Sequence, residues 1–528
     1  MPAAGEPSNP TLEARHIPAV RAGHRLARFL DGRRQALLLA SLFLILVGSR
    51  ALVIGAAGNP TPYTDEWDGE AANLLKPYLE GTLSVGDLFR AHNEHVIFFT
   101  RLLTLGVFKV SGYWDVILQM IANAVIDAAT VVAIAYALSR PLHGGWATAA
   151  MVLSALINAL PLSYDNMLLG FNTHFYLLLA FSFASLWLMC DSPAWSPRWL
   201  AGGLFGLASF LCMAAGALTL AAVAGLHLAQ MACGRRAGVR EQLGIAALAA
   251  ATVALVSLIP HVSASDVYRA HSLRQFVSAG FQLMSWPAPP NLGSLMALPS
   301  VLFCLRAFAD RPALNDPRWF NVAAFGWILT QFAAFADGRA LIPVETRYLD
   351  TLLIGLAVNL TSLFWLATLD PVAVRGKVWP SLALAGWLVI VAGSLIHPKH
   401  PLPGSMELRH RTAEAQENNL RGYLAAGDLS RLAGAPLMDI PYPDAGRLRQ
   451  LLDTPSIRAA LPPALLSRAP PSDWVETFKR VFLGGGYGWL GTGVLLLIAV
   501  IARAVWARAG PSPRELSAND GLETVRES

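Results

Sequence analysis

Two clusters of ionisable side chains carry the chemistry this sequence can offer. Asp65-Glu66-Trp67-Asp68 sets three carboxylates around an indole. His92-Asn93-Glu94-His95 follows within the same polar stretch. Carboxylates and imidazoles are the groups that take and give protons near neutral pH, and they also ligate divalent metals. His92 and Glu94, joined by an acidic residue of the first cluster, are candidate ligands for a divalent cation. His92 and His95 are three residues apart and lack the His-Glu-x-x-His pattern of a hydrolytic zinc helix. Either cluster alone is also readable as solvated loop charge, with Asp65 as an N-cap and Asp68 three residues on, as in a capping box. Two clusters in one short loop favour a site.

The elements that position these residues follow from composition. The chain has 528 residues, 54% hydrophobic and only 14% charged, against about 25% charged in soluble domains. Mean hydropathy is +0.46. Such a chain has too little polar surface for a soluble protein of this length, so an all-α polytopic membrane protein is expected. The net charge of +5 is topological rather than a nucleic-acid signal, because cytoplasmic loops collect Lys and Arg. Ionisable groups beside a bilayer are costly unless used or solvated, which strengthens the case for both clusters. The four cysteines, Cys190, Cys212, Cys233 and Cys304, lie in apolar segments and are not placed to staple an outside loop.

Hydropathy predicts about twelve spans of roughly 20 residues each: 36–57, 114–138, 146–162, 174–190, 199–215, 217–233, 241–260, 291–309, 318–336, 347–369, 379–396 and 481–505. A basic cytoplasmic tail (1–34) precedes a transmembrane domain (35–396) whose first outside loop, 59–95, carries both clusters. Residues 397–480 form a small periplasmic cap, 481–505 the last span and 506–528 a cytoplasmic tail. Val96–Ser111 carries Arg101 and Lys109 on an apolar body, which reads as a helix lying in the interface. The stretch 272–290 reads as either a second interfacial helix or a span. Alternation then puts Arg140, Arg198, Arg235, Arg236, Arg240, Arg311, Arg318, Arg375 and Lys377 inside. Within the second span Gln119, Asn123 and Asp127 recur every four residues and share a face, as partners for neighbouring helices. The Gly484–Gly488 run lacks the Lys-Ser/Thr of a phosphate loop and reads as a helix start. Tyr164-Asp165-Asn166 and Phe171-Asn172-Thr173-His174-Phe175 alternate polar and aromatic groups at a helix entrance, a composition suited to sugar. Asn172 and His174 are the candidates there.

The order of basic tail, one span, acidic motif opening a juxtamembrane helix, second polar motif, interfacial helix and a span ending in Arg resembles the module of the GT-C glycosyltransferases. That superfamily includes the protein mannosyltransferases and the bacterial aminoarabinose transferases of lipid A. Asp65 and Glu66 match its Asp/Glu pair, and AHNEHVIFFTRLLTLGVFKVSGYWD looks like its polar motif, amphipathic helix and following turn. The Arg347-Tyr348 pair at the head of a span is a further likeness, whereas the family's Pro-Pro before the helix is absent. The resemblance implies inverting transfer of a sugar from a polyprenyl-phosphate donor to a periplasmic glycan or lipid acceptor, in a bacterial inner membrane. Asp65 would be the base, with Glu66 and Asp68 as alternates. Arg347 and Tyr348 would hold the donor phosphate, Arg bidentately, with Arg269 and Arg101 as further candidates. His92, Asn93, Glu94, His95, Asn172 and His174 would contact acceptor or sugar. No nucleotide loop is needed, and a divalent metal is the one cofactor in question. The competing classes are a transporter or flippase, which would concentrate polar groups at mid-membrane in repeated halves, and a polymerase or ligase of lipid-linked sugars.

Overall fold

A computed structural model describes residues 17–369, 378–396 and 403–509. The basic residues before 17, Arg375, Lys377 and the tail after 509 lie outside the described residues. Among the described residues the chain is helical throughout, with one isolated antiparallel bridge between His92 and His95. The main helices are α1 (Ile17–Ala57), α2 (Phe98–Ser111), α3 (Val116–Ser139), α4 (Gly144–Ala159), α5 (Thr173–Met189), α6 (Pro197–Phe210), α7 (Leu218–Ala232) and α8 (Val239–Ser257). They continue with α9 (Leu273–Ser285), α10 (Gly293–Asp310), α11 (Arg318–Gly338), α12 (Leu349–Ala367), α13 (Val378–Ile396), α14 (Pro403–Ala426), α15 (Asp473–Gly484) and α16 (Gly486–Ala509). A nine-residue π-helix, Trp67–Leu75, precedes α2.

Among the described residues ten helices are long and apolar enough to cross a membrane, rather than twelve. The two that fall short are α6 and α13. Helix α6 has 14 residues, about 21 Å at 1.5 Å per residue, and the apolar part of α13 is Leu382–Ile396. Helix α6 nevertheless joins the two ends of the helices around it. At its start the Arg198 guanidinium donates to the Trp187 carbonyl at the end of α5 (3.0 Å), and the Ala194 amide donates to Glu241 at the start of α8 (3.0 Å). Just past its end the Leu211 carbonyl accepts from the Phe98 amide (2.9 Å). Ser196 caps it and Pro197 takes its first turn, where a missing N–H costs nothing.

Helices α2 and α9 are likewise shorter than the ~20 residues of a span. Helix α2 has 14 residues and α9 has 13. Within 272–290, Ser272 caps a 13-residue helix whose Leu273, Val277 and Phe281 are exposed at four-residue spacing, an apolar stripe of the kind an interfacial helix carries.

Two units divide the chain, Leu46–Tyr487 and the two ends outside it. In the latter, Gly493 lies so close to α1 that a Cβ would meet the Ser41 carbonyl and the Ile45 amide at 2.8 Å. Only glycine permits that approach. In the larger unit, the cap helices between 403 and 466 bury Leu420, Leu448, Leu451 and Leu461 in one cluster with Trp67 and Trp114. The cap and the first loop therefore share a core. At its centre Trp67 and Trp114 meet edge to face, 5.4 Å apart at 85°, a geometry worth about 0.5–1.5 kcal/mol beyond area.

The polar face of α3 finds partners along its length. Gln119 donates to Glu70 (2.9 Å) and Asn123 to the Gly170 carbonyl (2.8 Å). Asp127 pairs with Arg50 of α1 at 2.7 Å, both side chains 2% exposed. Arg50 lies inside the first apolar run and gives the sequence pattern no periodic signal.

Candidate active site

A cavity of about 580 Å³ opens where the first loop, the entrance of α5, the head of α12 and the first turns of α14 meet. Asp65, His92, Asn93, His95, Asn172, His174, Arg347 and Tyr348 all line it. Residues far apart in the chain, chosen from type and spacing, thus share one chamber.

The backbone around the chamber is unusual. Thr64, Asn93 and Ile97 have φ of 46°, 51° and 50°. Asparagine tolerates the left-handed region, but β-branched threonine and isoleucine do not. They are held there by the Thr64 amide on the Pro441 carbonyl (2.7 Å) and the Phe98 amide on Leu211. Such outliers cluster at functional sites. His92 and His95 exchange both backbone hydrogen bonds (2.7 and 3.0 Å), which pins the tight turn through Asn93. Gly69 lets the rings crowd in: a Cβ there would meet Phe171 at 2.6 Å and His92 at 3.5 Å.

The three carboxylates of the acidic motif go three ways. Asp65 faces the chamber with its side chain 50% exposed, and its Oδ1 lies 3.7 Å from His92 Nε2. That contact is electrostatic, longer than a hydrogen bond. Burial raises the Asp65 pKa, but His92 first and then Arg347 and His174 outweigh it and leave the carboxyl below its ordinary value. Glu66 is not in the chamber. It is buried, and it accepts from the Tyr63 amide (2.6 Å) and the Phe171 amide (3.2 Å), tying the loop to the α5 entrance. Burial, then the neighbouring Glu70, raise its pKa well above normal. Asp68 faces the cap, where it accepts from Tyr442 and from Arg447 (2.9 Å). Both make contacts that hold the fold, and neither lines the chamber.

The second motif also divides. His92 is 11% exposed and packs edge to face on Phe171. The His95 ring accepts from the Ala214 amide (3.4 Å). Burial pushes its pKa down to about 4 against the opposing charge of Glu94, so it is neutral near pH 7. Glu94 turns away from the chamber toward Arg339, 4.0 Å distant. His92 and Glu94 thus diverge, and no group of three or more His, Cys, Asp or Glu among the described residues has metal-holding geometry. Asn172 donates to Asn166 (2.8 Å), and His174 Nδ1 lies 3.1 Å from the Phe171 carbonyl.

Arg347 lines the chamber beside Glu345, to which its Nε donates. Its carbonyl accepts from Asn166 (2.8 Å), which also donates to Asp350 (2.7 Å). Tyr348 stacks on Phe335 with centroids 4.4 Å apart. The other two cations lie elsewhere. Arg269 pairs with Asp337 (2.9 Å) on an exposed surface. Arg101 is buried and donates to the carbonyls of Leu88 (2.9 Å), Arg90 and Val96 (2.9 Å), clamping the loop onto α2. Neither is free to bind phosphate in the chamber.

The structure adds lining residues beyond the sequence candidates: Tyr63, Glu345 and, from the cap, Arg409. Asp165 of the Tyr164-Asp165-Asn166 motif lines the chamber as well, and Glu345 stands two residues before Arg347. Arg409 sits in a polar helix with Arg411 and Arg421 and has no local signature. Comparison with family models, curated proteins and solved structures finds no match for this chain.

Proposed function

We propose that this chain is a GT-C-type membrane glycosyltransferase that moves a sugar from a polyprenyl-phosphate donor to a periplasmic glycan or lipid, with inversion. The observation that carries this reading is the meeting of Asp65, kept ionised beside His92, with Arg347 in one polar chamber at the head of apolar helices. In the reaction the acceptor oxygen attacks the anomeric carbon and the bond from that carbon to the phosphate oxygen breaks. Asp65 takes the acceptor proton, and the leaving lipid phosphate keeps the electron pair. Arg347 faces the growing charge on that phosphate, where a fixed cation lowers the barrier most. Asn93, Asn172 and the rings of His92 and His174 supply donors, acceptors and faces for the sugar and acceptor. Tyr348, buried against Phe335, shapes the phosphate side.

The orientation belongs to the same proposal. Arg140, Arg198, Arg235, Arg240 and Arg318 lie at the helix ends away from the chamber, which the positive-inside rule assigns to the cytoplasm. With α6 and α13 counted as short crossings the spans number about twelve, both termini are cytoplasmic and the chamber faces the periplasm of an inner membrane.

The test is release of polyprenyl phosphate by the purified full chain in proteoliposomes, supplied with polyprenyl-phosphate sugars and a glycan acceptor. Acceptor-dependent release by the wild type and its loss in Asp65→Asn support the reading. Movement of intact donor between leaflets with no release would make the protein a flippase instead.

A further inference from the structure

The cap carries a guanidinium with a buried donor that no acceptor meets. The other arginines between 407 and 470 are engaged. Arg411 pairs with Glu407, Arg421 with Glu417, Arg431 with Asp428, Arg447 with Asp68 and Arg449 with Asp453. Arg458 and Arg468 donate to backbone carbonyls. Arg409 forms no ion pair among the described residues. It lies 3.9 Å from the centre of the Tyr63 ring and lines the chamber that Arg347 lines. Its Nη1 is buried with no hydrogen-bond acceptor. A desolvated charged donor in that condition is costly, and in a native protein it calls for a partner.

Two carboxylates, Glu66 and Asp165, lie near enough to feel its charge, but among the described residues neither accepts a hydrogen bond from it. Glu66 is taken by the Tyr63 and Phe171 amides, and Asp165 by Thr346. The position of Arg409 is also fixed from both sides. One turn before it Met406 packs against Val53, Tyr164 and Leu168. Two turns after it Glu417 accepts from Asn59 (2.8 Å). The guanidinium is therefore presented to the chamber by a helix docked at both ends.

We propose that Arg409 is a second ligand for the phosphate of the lipid donor, so that Arg347 from the membrane domain and Arg409 from the cap grip one anionic headgroup between them. This rests on the donor reading above. Two planar forks suit the oxygens of a phosphate monoester or diester. Because α14 runs on into the cap core through Leu420 and Tyr423, headgroup binding also ties the cap to the chamber.

The experiment titrates the full chain in lipid nanodiscs with farnesyl phosphate, farnesol and inorganic phosphate, followed calorimetrically. The wild type should prefer farnesyl phosphate to farnesol. Arg409→Gln should weaken farnesyl phosphate by about 10- to 100-fold, the loss of a charge-assisted hydrogen bond, and leave farnesol unchanged. Arg411→Gln, on the same helix but exposed, should change neither. Arg409→Lys keeps the charge and carries the test if the glutamine variant does not accumulate, with a smaller loss in the same direction. Wild-type affinity for farnesyl phosphate in both Arg409 variants overturns the proposal and leaves the role of Arg347 standing. No preference of the wild type for farnesyl phosphate over farnesol overturns the donor reading itself. Inorganic phosphate binding as tightly as farnesyl phosphate would show a free-anion site and overturn the lipid assignment.

Discussion

At the scale of residues, the site turns on which carboxylate is free. Asp65 alone of the acidic motif reaches the chamber, so Asp65→Asn should lower turnover by at least about 100-fold with an unchanged melting temperature. Near-normal transfer by that variant would remove Asp65 from the role. The pH profile makes a second, independent statement. A base acts when deprotonated, and the Asp65 pKa lies below its ordinary 3.8. Activity should therefore persist as pH falls toward that value, with the acid limb of kcat/KM below it. His92→Gln removes the imidazole that lowers the Asp65 pKa and should move that limb upward; a limb that stays put would show that His92 does not act on Asp65. Arg347→Lys should be poorly active and Arg347→Ala nearly inactive, both inserting normally, because one mobile ammonium does not replace a planar fork. Transfer and donor affinity retained in Arg347→Ala would make the residue an interfacial anchor. The acidic motif was visible in the sequence. Which of its members would face the chamber was not, because Glu66 and Asp68 are claimed by Phe171, Tyr442 and Arg447, residues over a hundred positions away in the chain.

At the scale of elements, the π-helix Trp67–Leu75 does the sorting. Its wider turn sends Asp68 to the cap and Glu70 into the core, where Glu70 accepts from Thr104 (2.6 Å), Trp114 (2.6 Å) and Gln119 (2.9 Å). Ala71, Leu74, Leu75 and Tyr78 have the spacing of a helix, but spacing does not give its pitch, so the burial of Glu70 is not legible in the sequence. Glu70→Ala leaves the Trp114 indole N–H without an acceptor in a buried site, at a cost of about 1–3 kcal/mol for each orphaned group. Its melting temperature, followed by tryptophan fluorescence, should fall clearly below that of Glu80→Ala, which loses one exposed contact to Ser456. Equal melting would mean the three hydrogen bonds contribute nothing net. The Arg50–Asp127 pair joins α1 to α3 in the same way. Removing one partner alone should cost about 3–5 kcal/mol, whereas Arg50→Met with Asp127→Leu should recover most of it. The four-residue spacing of Gln119, Asn123 and Asp127 foretold that a face of α3 needs polar partners. It did not say that one partner is an arginine within the first apolar run.

At the scale of the whole molecule, hydropathy and charge carry most of the plan. Ten of the helices expected to cross are long and apolar enough to do so, and α6 and α13 fall short. Helix α6 is short as a helix, yet the chain around it still runs from the end of α5 to the start of α2, since Leu211 to Ala217 supplies the remaining reach. Had α6 not made that journey, every later loop would change sides, and Arg235 and Arg240 would lie with the chamber. The shared core of cap and first loop was not legible, because Trp67 and Leu448 are brought together by folding and not by any local period. The orientation can be tested directly. With the four native cysteines replaced by alanine, single cysteines are introduced at Ser84 in the first loop, Ser430 in the cap and Ala237 between α7 and α8, all exposed positions. Ser84 and Ser430 lie on the chamber side, while Ala237 follows Arg235 and Arg236, which hold the far ends of α10 and α5 through the Arg311 and Ser192 carbonyls. A membrane-impermeant maleimide applied from the periplasmic side should therefore modify the first two and spare Ala237 until the membrane is opened. Labelling of Ala237 alone would invert the topology and put the chamber in the cytoplasm, where lipid-linked sugars on the outer leaflet do not reach it.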